Sequence, residues 1–284
     1  MFSFIMPTYN RAWALENTVS KIIEQKNCPD WECIIVDDGS DDTTQELIQK
    51  IQEKNNKIQY IFQKNAGPAT ARQHGLSFAQ GEWIVYVDSD DALFPDFLNK
   101  VCTFFTEHPA VYFGMVNMER EIVLHDSNHQ ILATKKEPAT EKNPNQIMLR
   151  DYAHWNIKPC GTGIFHRRNY ITPEINWDPS FRLLEDIDFL LQFGAIYPDN
   201  FGFIPEKLFY QGQIFGCGGV CSGASYEDWA DYFEKLYRKH ENSPLMNGQE
   251  WYPTKVNNYR IKQKQFEAGL LPAPAHRHFP EYFN

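Results

Sequence analysis

The chain is short of the features that mark several broad classes. Its six cysteines are scattered, with no Cys-x-x-Cys pair. Cys217 and Cys221 stand nearest, and no histidines at ligand spacing accompany them. This argues against a zinc module or a disulfide framework and reads as reduced thiols in a cytosolic protein. No apolar run approaches the length of a bilayer span. The opening residues, Met1-Phe2-Ser3-Phe4-Ile5-Met6-Pro7, are too short and uncharged for a secretory leader. Positive charge is in deficit: 27 Lys and Arg face 37 Asp and Glu, a net −10. Wholesale nucleic-acid binding is therefore not expected. Glycine fingerprints are missing too. Neither G-x-G-x-x-G nor G-x-x-x-x-G-K-[ST] follows the first apolar run, which weighs against dinucleotide and P-loop readings.

What is present suits an ordinary globular protein. The chain has 284 residues, 42% of them hydrophobic, enough for one large or two small domains with a full core. Aromatics reach 15%. They fit a well-filled core, or alternatively an aromatic-lined groove.

The first half alternates strand and helix signals. Phe2 to Met6, Trp31 to Val36, Ile58 to Phe62 and Trp83 to Val87 read as buried strands. Between them, Trp13, Leu15, Val19, Ile22 and Ile23, then Leu47, Ile48 and Ile51, then Arg72, Leu76 and Ala79 recur at helical spacing. Pro68 suits the first turn of the third helix, and Gly81 its stop. A further helix from about Pro95 carries Phe97, Leu98, Val101, Phe104 and Phe105. Such alternation predicts an α/β fold with a parallel sheet of βαβ units flanked by helices.

The densest signal is Trp83-Ile84-Val85-Tyr86-Val87-Asp88-Ser89-Asp90-Asp91. A doubly buried strand runs straight into crowded carboxylates at the sheet edge where open α/β sheets place ligands. Unpaired acids packed together repel, and a divalent cation that also holds a phosphate relieves them. Two other loops should meet there. One carries Pro7, Thr8, Tyr9 and Arg11, the other Asp37-Asp38-Gly39-Ser40. Taken alone, the second could be a plain turn and helix cap, and Tyr9 a plain surface residue.

Together, Pro7-Thr8-Tyr9-Asn10-Arg11, Ile35-Val36-Asp37-Asp38-Gly39-Ser40, Ala71-Arg72 before Gly81-Glu82-Trp83, and Val87-Asp88-Ser89-Asp90-Asp91 resemble the inverting family 2 glycosyltransferases of GT-A fold. The resemblance covers about the first hundred residues. It implies that Pro7 and Tyr9 line a nucleobase pocket and that Asp38 bonds the base, usually uracil. Thr8, Arg11, Asp37 and Ser89 join this donor-binding set. Arg72 would sit near the base or diphosphate, and Asp88 near the ribose or sugar. Asp90, with Asp88, would ligate Mn²⁺ or Mg²⁺, and Asp91 could assist. The family commonly has Arg-Asn where this chain has Arg72-Gln73.

In the second half, Val111 to Val116 and Gly161 to Phe165 read as strands. Ile122 to Leu124 and Gln130 to Leu132 read as a hairpin, and Glu137 to Asn145 as a loop over the site. His166, Arg167 and Arg168 read as surface groups. Leu183 to Leu191 reads as a helix start with Glu185 and Asp186 at its amino end, where acids also serve the helix dipole. Attack on an anomeric carbon needs a carboxylate near the acceptor hydroxyl. The Glu-Asp pair resembles the family's motif, which implies Asp186 as base and Glu185 as its orienting neighbour; Asp188 should face elsewhere. Gly212 to Gly223 reads as a flexible lid without the histidine that many relatives carry there. Tyr226, Trp229, Phe233, Leu236 and Tyr237 form an aromatic helical stripe that should pack on the core. Lys255, Arg260, Lys262 and Lys264 read as a solvated face, or a contact to anionic lipid. Leu271 to Asn284 reads as an extended strap.

The expected organisation is a GT-A unit over 1–215, split near 110 into nucleotide-binding and acceptor-side halves, with a helical extension and tail over 216–284. The resemblance implies inverting, metal-dependent transfer from a UDP-sugar to a glycan acceptor. That acceptor could be lipid-linked in bacterial surface polysaccharide synthesis, with the protein at the inner face of the plasma membrane. A sugar-nucleotide pyrophosphorylase would want a basic, glycine-rich first loop, which Pro7 to Arg11 is not. A non-catalytic sugar-nucleotide binder would have lost acids that Asp88, Asp90 and Asp186 retain.

Overall fold

A computed structural model describes residues 1–26, 29–125, 128–158, 160–215, 223–248 and 251–270, the side chains of 213–215 excepted. The first half follows the expected alternation. It runs β1 (Phe2–Thr8), α1 (Ala12–Ile23), β2 (Trp31–Asp37), α2 (Thr44–Gln52), β3 (Ile58–Phe62), α3 (Pro68–Phe78) and β4 (Trp83–Tyr86). Then come β5 (Ala92–Leu93), α4 (Phe97–Glu107), β6 (Phe113–His125), β7 (Ile131–Glu137), α5 (Leu149–Ala153) and β8 (Ile164–Arg167). α6 (Glu185–Ile196), β9 (Phe201–Phe215), α7 (Tyr226–His240) and α8 (Trp251–Glu267) complete the described elements.

These strands form one mixed sheet of order β3-β2-β1-β4-β8-β6-β9-β5, with β7 added to β6. β3, β2, β1 and β4 are parallel, so the loops after β1, β2 and β4 leave from one edge. β8 pairs antiparallel to β4 and brings Gly161 and Thr162 toward that edge. The pleat divides the core. Phe4, Met6 and Val85 pack on one face with α1 and α4, while Ile5, Ile84 and Tyr86 pack on the other with α3 and α6. A third cluster joins α6 to α7 and α8.

The hairpin expected around Asp126 to His129 is β6–β7, in antiparallel register. β9 carries no such sequence signal, because Pro205 interrupts its pattern. The sheet absorbs that proline in a register shift beside Asn117, whose side-chain amide donates to the Pro205 carbonyl at 2.9 Å. β9 also takes in Gly212, the start of the expected lid; the lid's centre with Cys217 and Cys221, and the strap after Leu270, lie outside the described residues. His166 is not a surface group. It is fully buried, and the Tyr86 hydroxyl donates to its Nε2 across 3.0 Å. Burial lowers its pKa to about 4, so it is a neutral core histidine.

The aromatic stripe of α7 packs inward, with Tyr226, Phe233 and Leu236 buried. The basic stretch on α8 is not uniformly solvated. Lys255 lies over the rings of Trp155, Phe233 and Trp251, and Arg260 pairs with Glu227, Asp231 and Glu234.

Candidate active site

The loops after β1 and β2 are stitched together by backbone and short side chains. Asn10 adopts φ 51°, a conformation an asparagine tolerates better than bulky residues. Its N–H donates to Ser40 Oγ at 2.9 Å, and its Oδ1 accepts from Asp41 N at 2.9 Å. Pro7 and Thr8 are buried, while Tyr9 stays 46% exposed at the rim. Asp37 is fully buried and accepts from Ser40 N and from the Tyr60 hydroxyl. Asp38 accepts from Gln63 Nε2 at 2.7 Å, Ala66 N at 2.8 Å and Gly67 N at 2.8 Å. Both aspartates therefore shape the wall of the crevice. Ser89 is buried too, and its carbonyl accepts from Thr18 Oγ1.

The three acids after β4 take separate partners. Asp90 pairs with Arg11 at 3.3 Å. Asp91 turns inward, where its Oδ2 accepts from Thr162 Oγ1 at 2.5 Å and from the Cys160 thiol. That same Thr162 oxygen accepts from the Asp88 N–H at 2.8 Å, which fastens the start of the loop to β8. Burial raises the pKa of Asp90, with Arg11 opposing and Asp88 adding repulsion. Burial raises Asp91 further, and both acidic neighbours add to it. Crowded carboxylates held above their ordinary range fit a divalent cation.

One ligand atom each from Asp88, Asp91 and Cys160 lies within 4.8 Å of the others. Burial holds the Cys160 thiol well above its ordinary pKa, so it is neutral and a poor ligand for a hard ion. The carboxylate oxygens are the fitting donors for Mg²⁺ or Mn²⁺.

Arg72 joins this cluster to the second one. Its Nη2 reaches Asp88 Oδ1 at 2.6 Å and its Nη1 reaches Glu185 Oε1 at 2.9 Å. Its guanidinium lies 4.7 Å from the Trp177 ring centroid, and the backbone N–H of Trp177 donates to Gln73 Oε1. The Gln73 side chain thus fixes the backbone of the residue on whose ring Arg72 stacks. Burial works against the Arg72 charge, but Asp88 and Glu185 outweigh it and raise its pKa. Gly161 faces the same fork. A Cβ there would run into Arg72 Nη2 and lie 3.0 Å from Asp88 Oδ1.

Glu185 and Asp186 open α6 from a strained start. Leu184, immediately before them, sits at φ 65°, ψ 15°, with no side-chain cap. For a leucine that left-handed conformation costs ~1–2 kcal/mol. Such strain persists only where surrounding structure holds it. Glu185 is raised by burial despite Arg72 beside it. Asp186 is raised by burial and by the Glu185 charge to about 7. A half-buried carboxyl poised near neutrality can take a proton from an entering hydroxyl.

The structure thus brings Asp88, Arg72, Glu185 and the Asp186 turn together, with Asp90 and Arg11 beside them. Sequence reasoning missed Thr162, Cys160 and Trp177. The small residues Gly161-Thr162-Gly163 were the one signal that a backbone approaches closely there.

Residues 3–172 match the family model described as Glycosyl transferase family 2. A Campylobacter jejuni protein described as GalNAc(5)-diNAcBac-PP-undecaprenol beta-1,3-glucosyltransferase is 34% identical over 121 residues, 42% of this chain and 39% of its own. The minor teichoic acid biosynthesis protein GgaA of Bacillus subtilis is 28% identical over 218 residues, 74% of this chain and 47% of its own. The chain thus spans less than half the length of these relatives. Among solved structures, S. aureus TarS in complex with UDP-GlcNAc gives a TM-score of 0.65 at 18% identity, covering 95% of this chain and 93% of that one. At that identity the likeness is one of fold.

Proposed function

From the premise that the chain belongs to glycosyl transferase family 2, we propose that it moves a sugar from a UDP-sugar to a glycan hydroxyl with inversion. The observation that carries this is the Arg72 bridge, which links the donor-side Asp88 to Glu185 beside the candidate base. Pro7, Thr8, Tyr9 and the Asp37-Asp38 wall bound the nucleoside end of the crevice. When bound, Mn²⁺ or Mg²⁺ would be held by Asp88 and Asp90, with Asp91 behind them, and would neutralise the departing diphosphate.

The protein's own residues do the rest. Asp186 accepts the proton of the acceptor hydroxyl as that oxygen bonds to the anomeric carbon. The bond from that carbon to the phosphate oxygen breaks, and UDP leaves with the electron pair. Attack opposite the leaving group turns an α-linked donor into a β-glycoside. Glu185, fixed by Arg72, orients the turn that carries Asp186. One relative's name carries a PP-undecaprenol-linked glycan and another's teichoic acid biosynthesis, which supports a lipid-linked bacterial glycan as acceptor; in this reading the protein works at the inner face of the plasma membrane. Among the described residues no helix is long and apolar enough to cross a membrane.

The test is UDP release from UDP-glucose, UDP-galactose and their N-acetyl forms, with and without Mn²⁺. Turnover of one donor, dependent on Mn²⁺ and lost in Asp90→Ala, is expected. No turnover of any donor, together with unimpaired UDP binding by Asp90→Ala, would refute the metal-assisted reading.

A further inference from the structure

A buried charge cluster outside the crevice ties α6 to the C-terminal helices. Asp188, one residue past Ile187 in the first turn of α6, is fully buried. Its Oδ1 lies 2.8 Å from His240 Nε2. Its Oδ2 accepts from Lys239 Nζ at 2.9 Å and from Gln192 Nε2 at 2.6 Å. Lys239 continues to Asp178 at 2.8 Å. His240 and Lys239 are the last two residues of α7, so both partners from that helix sit at its carboxyl end.

The same turn is wrapped by apolar contacts. Leu183, Leu184 and Ile187 pack in one cluster with Ala230, Phe233, Leu236 and Tyr252 of α7 and α8. The Asp188 N–H donates to the carbonyl of the strained Leu184 at 2.9 Å, closing the turn that holds Glu185 and Asp186.

We propose that α7 and α8 position the base-bearing turn, with Asp188 held by His240 and Lys239 as the directional link. Apolar packing alone would hold the helices together equally well. It would not fix the rotation of the turn about its own axis, whereas two hydrogen bonds from α7 to one carboxylate do. The strain at Leu184 needs such a hold, because relaxation of that residue swings Glu185 and Asp186 together. His240 and Asp188 are therefore positioning residues, and this role rests on the reading of Asp186 as base.

The experiment compares the full-length wild type with His240→Leu and His240→Gln, whose amide can still donate to Asp188. Three quantities are measured: UDP affinity, release of UDP from the UDP-sugar the wild type turns over fastest, and hydrogen exchange of the peptide spanning Leu183 to Leu190. In His240→Leu, turnover should fall on the order of tenfold to a hundredfold, the scale of a small misplacement. UDP affinity should stay unchanged, exchange in the first turn should speed up, and His240→Gln should restore most of both losses. Wild-type exchange and turnover in folded His240→Leu would overturn the proposal. So would parallel losses of turnover and UDP affinity with no rescue by glutamine. If the leucine variant does not fold, Lys239→Met, at a half-exposed position, is expected to give the same split and decides the matter by the same readouts. A wild type that turns over no donor would refute the functional reading, while the exchange arm still decides the link.

Discussion

Arg72→Met removes the cation on which both carboxylate clusters depend. The side chains of Arg72, Asp88 and Glu185 are 4%, 28% and 13% exposed, so little water can replace the guanidinium. Deleting one partner of a buried pair costs about 3–5 kcal/mol. Asp88 is more than a quarter exposed and is partly screened, which puts the loss near the low end, about 3 kcal/mol. For a chain of this size that is a fall in Tm of roughly 6–12 °C.

The loss should depend on pH in a defined direction. Burial already raises Glu185 with Arg72 present, and without Arg72 its pKa rises further. A carboxyl whose folded pKa lies above its unfolded value favours folding while protonated; that contribution is lost as pH rises through the folded pKa. The deficit of the variant should therefore grow as pH rises from the acid side toward pH 8. Thermal melts followed by tryptophan fluorescence in metal-free buffer measure it, so that no cation substitutes for the lost one. Arg72→Lys should fall between, because an ammonium cannot span both carboxylates as a fork does. An unchanged Tm at pH 8, or a deficit that grows in acid, would refute the bridge as the buried tie.

Other outcomes follow from the same geometry. Asp186→Asn should lower turnover by about 10²–10⁴-fold and leave UDP affinity unchanged, as titration calorimetry would show; retained turnover would move the base elsewhere. Because the Asp186 pKa is raised to about 7 and a base acts deprotonated, wild-type turnover should climb as pH rises through about 7 and level off above it. A flat initial-rate profile from pH 6 to 8 would count against Asp186. Gly161→Ala should displace the Arg72 fork and lower both Tm and turnover.

Much of the acidic sheet edge was legible because its signals are local. A parallel sheet exposes its carboxyl ends on one edge, so acids that directly follow Val36 and Val87 must lie close together. The roles within that edge were less legible. Asp37 and Asp38 accept hydrogen bonds from backbone and neighbouring side chains, which only the turn geometry reveals. β9 escaped because Pro205 breaks the pattern and the compensating shift lies on another strand. His166 looked like part of a basic surface run, yet β8 is flanked on both sides and carries it into the core.

The linear order alone determined the βαβ alternation, the acid-ended strands and a second acidic pair at a helix start. Those follow from apolar spacing and turn residues, which act over a few positions. Only the tertiary structure decided that Arg72 meets Asp88 across 16 residues and Glu185 across 113. It also decided that Asp188 meets the end of α7, 52 residues on. A side chain's partner at such range is set by how whole elements pack, and no periodicity in the chain encodes it.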